Sequence, residues 1–135
     1  MRLLFFSILS TLIYSQETEF RKIFERAVIQ EVSCDSLIDF CEGKISKKCE
    51  AYSGAALILK AKYANSPISK ISFFRKGRKK LDDVINKNPN FVECRWLRYS
   101  LQKNAPVFLN YNRNLIKDSL YISKYGDDFQ KKVLK

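Results

Sequence analysis

The sequence predicts an all-α fold, a single domain of five to six antiparallel helices with no sheet. The 135-residue chain contains only 4 glycines and 3 prolines, the residues that disfavour a helix interior most strongly. Apolar residues recur at helical spacing along most of the chain, and no segment shows the apolar–polar alternation typical of a strand. Because 46% of the residues are hydrophobic, a chain of this length can bury one core.

The first fifteen residues have the pattern of a secretory signal peptide. Arg2 supplies a positive charge, residues 3–14 form an apolar run, and the small Ser15 precedes the polar Gln16. The run is too short to span a bilayer on its own. We therefore expect residues 1–15 to be removed and the protein to be exported, either periplasmic or secreted. A buried N-terminal helix is the alternative interpretation.

The rest of the chain is predicted to divide into a helical domain, residues 16–126, and a charged C-terminal tail, residues 127–135. The charge is uneven: residues 17–50 hold 6 basic and 8 acidic side chains, whereas residues 51–135 hold 18 and 6. An acidic partner or surface would therefore meet the C-terminal two-thirds. The alternative, which we favour, is that scattered lysines keep a small exported protein in solution.

The first half of the domain predicts three helices. Residues 17–32 carry apolar side chains on one helical face. Ser33 is the predicted N-cap of a short second helix, which ends at Gly43 because glycine accepts the left-handed conformation there. Ser46 is the predicted N-cap of a third helix, which reaches about Ala64. This helix presents small residues on one face, so a neighbouring helix can approach closely.

The second half predicts three more helices. Ser69 is the predicted N-cap of the fourth helix, and the turn at residues 88–90 separates it from the fifth, which runs to Lys103. The fifth helix is apolar over most of its circumference, so we expect it to be the most buried. A sixth helix ends at Gly126, and the charged residues after it are predicted to be helical or frayed.

The stretch from Lys80 to Asn90 resembles the second helix of a tetratricopeptide repeat (TPR) and its closing proline. No second copy follows at the repeat spacing, and the chain breaks at residues 65–69, before the first helix of a standard repeat should turn. The resemblance therefore implies a TPR-like helical hairpin, and it does not imply a repeat array.

Residues 54–114 are similar to an uncharacterised family of small exported helical proteins common in Bacteroidota. The residues that carry this resemblance are Ala61–Tyr63, Asn65–Lys70, Phe73, Glu93–Arg98, Gln102–Pro106 and Phe108–Tyr111. The resemblance implies an exported, TPR-like protein, and it brings no catalytic residue with it.

The chain contains no histidine. Ser–His and Cys–His nucleophile pairs and histidine-ligated metals are therefore excluded, and the usual general base near neutral pH is missing. No other acid–base pair stands out. We therefore predict that the protein is not an enzyme and uses no cofactor or metal, and no small-molecule substrate is evident.

The four cysteines are spaced too widely for a CxxC metal or redox site. In an exported protein an even number of cysteines favours disulfides. Cys41 and Cys49 flank the predicted turn between two helices, so we predict that they form a disulfide across a helical hairpin. Cys34 and Cys94 are then the remaining pair. The alternative is that all four are small core residues.

The fourth helix is predicted to carry a candidate basic face, formed by Lys70, Arg75, Lys76, Arg78, Lys79 and Lys80. Its functional interpretation is a site for phosphate-bearing partners such as lipid headgroups, envelope glycans or nucleic acid. Against this, Asp82 and Asp83 follow Arg78 and Lys79 at i+4 spacing and can pair with them. The stretch also lacks a glycine-rich phosphate loop. We favour a solvated helix face, and nucleic acid is not an expected partner.

The fifth helix places charged residues next to apolar ones, and guanidinium groups near a core must be paired or open to a cleft. Six residues form a candidate polar network or cleft: Glu93, Arg95, Arg98, Gln102, Asn104 and Asp118. We favour an internal network that fixes the helix packing, and a ligand-binding cleft is the alternative.

Two functions remain in view. The leading one is a non-enzymatic exported interaction or scaffold module that binds a protein partner in a groove between helices. The alternative is a basic protein that binds polyanions or an anionic envelope surface through its C-terminal portion.

Overall fold

The computed structural model describes residues 2–135, with the exception of the side chains of residues 2–9 and of Ile13. This part of the chain forms seven α-helices: α1 (Arg2–Ala27), α2 (Glu31–Cys41), α3 (Lys47–Tyr63), α4 (Pro67–Lys87), α5 (Val92–Lys103), α6 (Leu115–Tyr125) and α7 (Asp128–Lys131). Short 3-10 helices lie at Val107–Leu109 and Lys132–Leu134. Residues 2–135 contain no strand, so the all-α prediction is confirmed.

The apolar N-terminal run and the predicted first helix form one continuous helix, α1, with Met1 outside the described residues. The described side chains from Ser10 to Gln16 are all exposed, and packing against the domain begins at Glu17. The helix ends at Ala27, five residues before the predicted end at residue 32. Among the described residues, no helix combines the length and the apolar character needed to span a bilayer.

Two of the predicted N-caps were wrong. Helix α2 begins at Glu31, and Ser33 lies buried inside it, because packing against the core outweighs the preference of serine for a helix end. Helix α4 is capped by Ser66, whose hydroxyl oxygen accepts a hydrogen bond from the backbone N–H of Ser69 at 3.1 Å. Pro67 then occupies the first helical position, where its missing N–H costs nothing.

Two other predicted helix ends are confirmed. Ser46 caps α3 by accepting a hydrogen bond from the backbone N–H of Cys49. Gly43 follows α2 with a φ of 71°, in the left-handed region that side chains with a Cβ disfavour.

Helices α3 and α4 form an antiparallel hairpin whose backbones touch. A Cβ atom placed on Gly77 would lie 2.4 Å from the carbonyl oxygen of Gly54 and 2.8 Å from the backbone nitrogen of Ile58. Residues 51–56 of α3 are all buried. The predicted small-residue face is therefore the contact surface of the hairpin. Helices α1 and α2 also contact α3.

Helix α5 crosses the hairpin and pairs with α6. Eight of its twelve residues are buried, including all six from Glu93 to Arg98. The prediction of a strongly buried fifth helix is therefore confirmed.

The segment predicted to be a charged tail contains α7. Asp127 and Gln130 form a capping box, in which the Asp127 side chain accepts from the Gln130 N–H and the Gln130 side chain accepts from the Asp127 N–H. Phe129, Val133 and Leu134 pack against the core. Residues 127–134 therefore continue the domain.

The close contact of α3 and α4 makes Gly77 intolerant of a side chain. We expect Gly77→Ala to lower the free energy of unfolding by about 1–3 kcal/mol, because the new methyl group meets backbone atoms that cannot move aside independently. Alanine favours a helix over glycine by about 1 kcal/mol, so the clash must exceed that gain. Urea unfolding followed by circular dichroism measures the change.

Asn86→Ala, at an exposed position of α4, is the matched control and should not lower stability. Equal unfolding midpoints for Gly77→Ala and the parent protein would contradict a close backbone contact.

Candidate functional site

Two clusters of buried charges meet on helix α5. Arg95 and Arg98 point toward α6 and α4, and Glu93 points toward α1, α3 and α7, as their partners show. Each of these three residues is at most 5% exposed. The structure therefore separates Glu93 from the two arginines with which the sequence analysis grouped it.

The first cluster is centred on Asp118 of α6, which is fully buried. Its Oδ1 atom accepts hydrogen bonds from Arg95 Nη1 at 2.9 Å and Arg98 Nη2 at 3.0 Å, and its Oδ2 atom accepts from Arg98 Nε at 2.7 Å. Arg98 Nη1 donates to Asp82 of α4 at 2.9 Å, and Arg95 Nε donates to the Pro89 carbonyl at 3.0 Å. Burial alone would lower the pKa of Arg98, but the bonds to Asp118 and Asp82 raise it.

The second cluster is centred on Glu93, which is 2% exposed. Its carboxylate accepts two hydrogen bonds from the Arg21 guanidinium, at 2.9 and 2.7 Å. It also accepts one from the Tyr52 hydroxyl and one from the Gln130 side-chain amide, each at 2.5 Å. Arg21 also binds Asp127 at 2.8 Å. Burial, together with the Glu93 charge, raises the pKa of Tyr52, so its hydroxyl keeps its proton and remains a donor.

The two remaining candidate network residues behave differently from each other. Gln102 is buried and makes two hydrogen bonds to Asn114, which close the base of the loop between α5 and α6. Asn104 is exposed and donates to the Ser100 carbonyl at 2.8 Å. Asn104 is therefore not part of either cluster.

The six residues of the candidate basic face do not form one free surface. Arg78 and Lys79 lie within salt-bridge distance of Asp82 and Asp83, and Lys80 donates to the Ser53 hydroxyl at 3.0 Å. Lys70, Arg75 and Lys76 are exposed, and within the described part of the chain none of them has a carboxylate at salt-bridge distance. Half of the predicted face is thus already engaged.

Cys41 and Cys49 are not joined by the predicted disulfide: both are buried free thiols, close enough that Cys49 contributes, after burial, to the raised pKa of Cys41. Cys34 and Cys94 are also free and buried, as the alternative interpretation expects. Burial raises the pKa of Cys34 to about 11 and of Cys41 and Cys94 to about 12. These three thiols stay protonated at neutral pH and are not activated nucleophiles.

The described residues contain no group of three or more Cys, Asp or Glu side chains that could hold a metal ion.

Two depressions lie on the surface. The first, of about 530 Å³, is open, runs along the outer side of α1 and is lined mostly by charged side chains. A second depression of about 400 Å³ lies where α1, α2 and the start of α3 meet.

We name this second depression the α1–α2 groove. Its lining residues are Gln16, Glu19, Phe20, Ile23, Phe40, Lys44, Ser46, Lys48 and Cys49.

The floor of the α1–α2 groove is aromatic. The rings of Phe20 and Phe40 meet edge to face, with centroids 5.5 Å apart, and Phe20 also packs on Tyr52 at 4.8 Å. Phe40 remains 53% exposed. The ammonium groups of Lys44 and Lys48 lie over the Phe40 and Phe20 rings, at 3.3 and 5.4 Å from their centroids. The groove therefore combines an apolar floor with a rim of two lysines and Glu19, and Lys48 also forms a salt bridge with Glu17 at 3.6 Å.

Sequence analysis did not identify this groove. Phe20 was assigned to the apolar stripe of the first helix, and Phe40 was not singled out. Helical spacing gave no signal for the exposure of Phe40, because a residue three positions after the buried Leu37 lies at the edge of the buried stripe of α2.

No family model, no curated protein and no solved structure matches this chain. The TPR-like architecture and the resemblance to exported Bacteroidota proteins therefore remain predictions.

The Asp118 cluster predicts a large stability effect. We expect Asp118→Ala to lose about 3–5 kcal/mol of unfolding free energy in urea, because two buried guanidinium groups lose their counter-charge. Arg98→Lys should lose less, since lysine keeps the charge but not the forked contact.

Asp83→Ala is the matched control for Asp118→Ala, because its partner Lys79 is 76% exposed, and we expect a change within about 0.5 kcal/mol. Equal unfolding curves for the two aspartate variants would refute the network interpretation. They would make Arg95 and Arg98 the first place to look for a ligand.

Proposed function

We propose that the protein is a non-enzymatic, exported helical interaction module that binds a segment of a protein partner in the α1–α2 groove. The observation that carries the proposal is the exposed aromatic floor between two lysines, since an apolar ring that is half in water gains free energy when a partner covers it. The volume of about 400 Å³ lies within the usual range of binding pockets, about 300–1,000 Å³.

The rim of the groove favours a particular kind of segment. Lys44, which has no salt bridge among the described side chains, attracts a carboxylate. Phe20, Ile23 and Phe40 accept apolar side chains. A cation over an exposed ring contributes about 0.5–1 kcal/mol, so a partner carboxylate can draw the lysines away and uncover the rings. The expected partner segment is therefore amphipathic, with an acidic residue beside its apolar anchors.

Export is part of the same proposal. The apolar run precedes the point where α1 begins to pack, and the described side chains from Ser10 to Gln16 are exposed. The described side chains of this stretch are outside the core. This supports removal of residues 1–15 as a signal peptide.

Placing a photo-crosslinking amino acid at position 40 tests the binding function. We expect it to join the protein to one envelope protein in the producing cell, with the attachment identified by mass spectrometry. The same group at position 68 is the control, because Ile68 is 82% exposed but lies far from the groove at the start of α4.

The purified partner should then bind Phe40→Ala about tenfold more weakly than the parent protein, which corresponds to about 1.4 kcal/mol. Crosslinks that form equally at both positions, or that attach glycan, lipid or nucleic acid at position 40, would overturn the proposal.

A second experiment concerns the N-terminal segment alone. We expect the chain that starts at Gln16 to unfold at the same temperature as the full chain, because the described side chains before residue 17 are outside the core. Differential scanning calorimetry measures this. A clear drop in the unfolding temperature of the shortened chain would favour the alternative, a structural N-terminal helix.

A further inference from the structure

Helix α6 buries an aspartate beside the core residue Ile122 and exposes two large aliphatic side chains. Asp118 lies at the centre of its buried side, whereas Ile116 and Leu120 lie on the opposite side and are 78% and 67% exposed. The two aliphatic residues are spaced i, i+4 and therefore stand next to each other on the helix surface. An ordinary surface helix would bury these residues and expose the aspartate.

The loop that leads into α6 also exposes apolar side chains. Val107 and Phe108, at the start of a 3-10 helix, are 93% and 85% exposed. The loop is held in place from both ends: Gln102 and Asn114 are hydrogen-bonded across its base, and Tyr111 is buried with its ring edge-on to Phe74 at 5.2 Å. The two exposed side chains thus project from an anchored loop.

The charges around these apolar residues are all positive. Lys103, Arg113, Lys117 and Lys124 are exposed. Asp118 is the only acidic residue between positions 94 and 126, and Arg95 and Arg98 already occupy its carboxylate. Among the described side chains, none of these four cations forms a salt bridge, although Lys103 donates to the Val133 carbonyl and the exposed Asp128 follows Lys124 by four residues.

We propose that this surface, formed by Val107 and Phe108 with the outer side of α6, docks onto an anionic lipid bilayer. The four apolar side chains would enter the headgroup region, and Arg113 and Lys117 would bind lipid phosphates. A helix with exposed apolar residues and flanking cations is suited to lie in the plane of such an interface. A projecting loop tip and a convex helix fit a deformable lipid layer better than a rigid protein surface.

This inference does not depend on the α1–α2 groove, because the two surfaces share no residue. It also differs from the predicted basic face of α4, half of whose cations already have partners. An acidic protein is the competing occupant, and the experiment distinguishes it from lipid.

The test uses the full chain with a tryptophan as a local reporter. The reporter shows whether position 108 itself enters the lipid, so binding through the apolar N-terminal run alone does not give the expected signal. With vesicles that mix phosphatidylcholine and phosphatidylglycerol, we expect Phe108→Trp emission to shift to the blue and to be quenched by brominated lipids. Ile68→Trp, on an exposed apolar residue of α4, is the matched control and should show neither change. The native Trp96 is 5% exposed, and the parent protein supplies its background signal.

Two further variants, made in the Phe108→Trp protein, test the apolar residues and the cation of the proposed surface separately. Replacing Ile116 and Leu120 by serine should reduce quenching at a given lipid concentration by about tenfold. Lys117→Glu should also reduce quenching at low salt. In Phe108→Trp with Lys117 retained, raising the salt concentration should reduce quenching in the same way. Lys76→Glu, a charge change on α4, should leave quenching unchanged.

Vesicle binding with an unquenched tryptophan at position 108 would overturn the proposal. Quenching that is indifferent to both the serine replacements and Lys117→Glu would also overturn it. Photo-crosslinking from position 108 to an acidic protein, without any lipid quenching, would assign the surface to that protein instead.

Discussion

Helix α5 buries three ionisable side chains within six residues, and the arrangement of the other helices follows from the need to neutralise them. Glu93, Arg95 and Arg98 are each at most 5% exposed. A buried charge without a counter-charge costs several kcal/mol, so each must meet an opposite charge or strong hydrogen-bond partners. The partners come from every other helix except α2: Arg21 and Tyr52 are examples from α1 and α3.

The same requirement fixes how α6 is turned. Asp118 must face α5 because its carboxylate receives three hydrogen bonds from two arginines. Because α6 packs mainly against α5, burying residue 118 there turns the positions two before and two after it outward, since successive residues are rotated by about 100°. Ile116 and Leu120 are therefore exposed as a consequence of satisfying the arginines. Electrostatics in the interior thus determines which apolar surface the protein presents to its surroundings.

Local signals in the sequence were sufficient for helices α2 to α6, their approximate bounds and the burial of α5, but not for α7, which lies in the predicted tail. They also showed that Arg95 and Arg98 needed partners, and they included Asp118 among the candidates. They could not supply Arg21 as the partner of Glu93, because 72 positions separate the two residues and periodicity carries no information at that distance. Ser33 failed as a cap for a related reason, since long-range burial decided its position.

Which cations remain without a salt bridge also depends on where the carboxylates lie. Sequence analysis placed the sharpest basic cluster on α4, where Arg78 and Lys79 each have an aspartate four residues later in the chain. Those aspartates lie on the helix surface, so they neutralise the cations locally. On α6 the single aspartate is withdrawn into the interior, where arginines of α5 consume its charge. Lys117 next to it therefore has no salt bridge among the described side chains, and the proposed lipid surface relies on this charge.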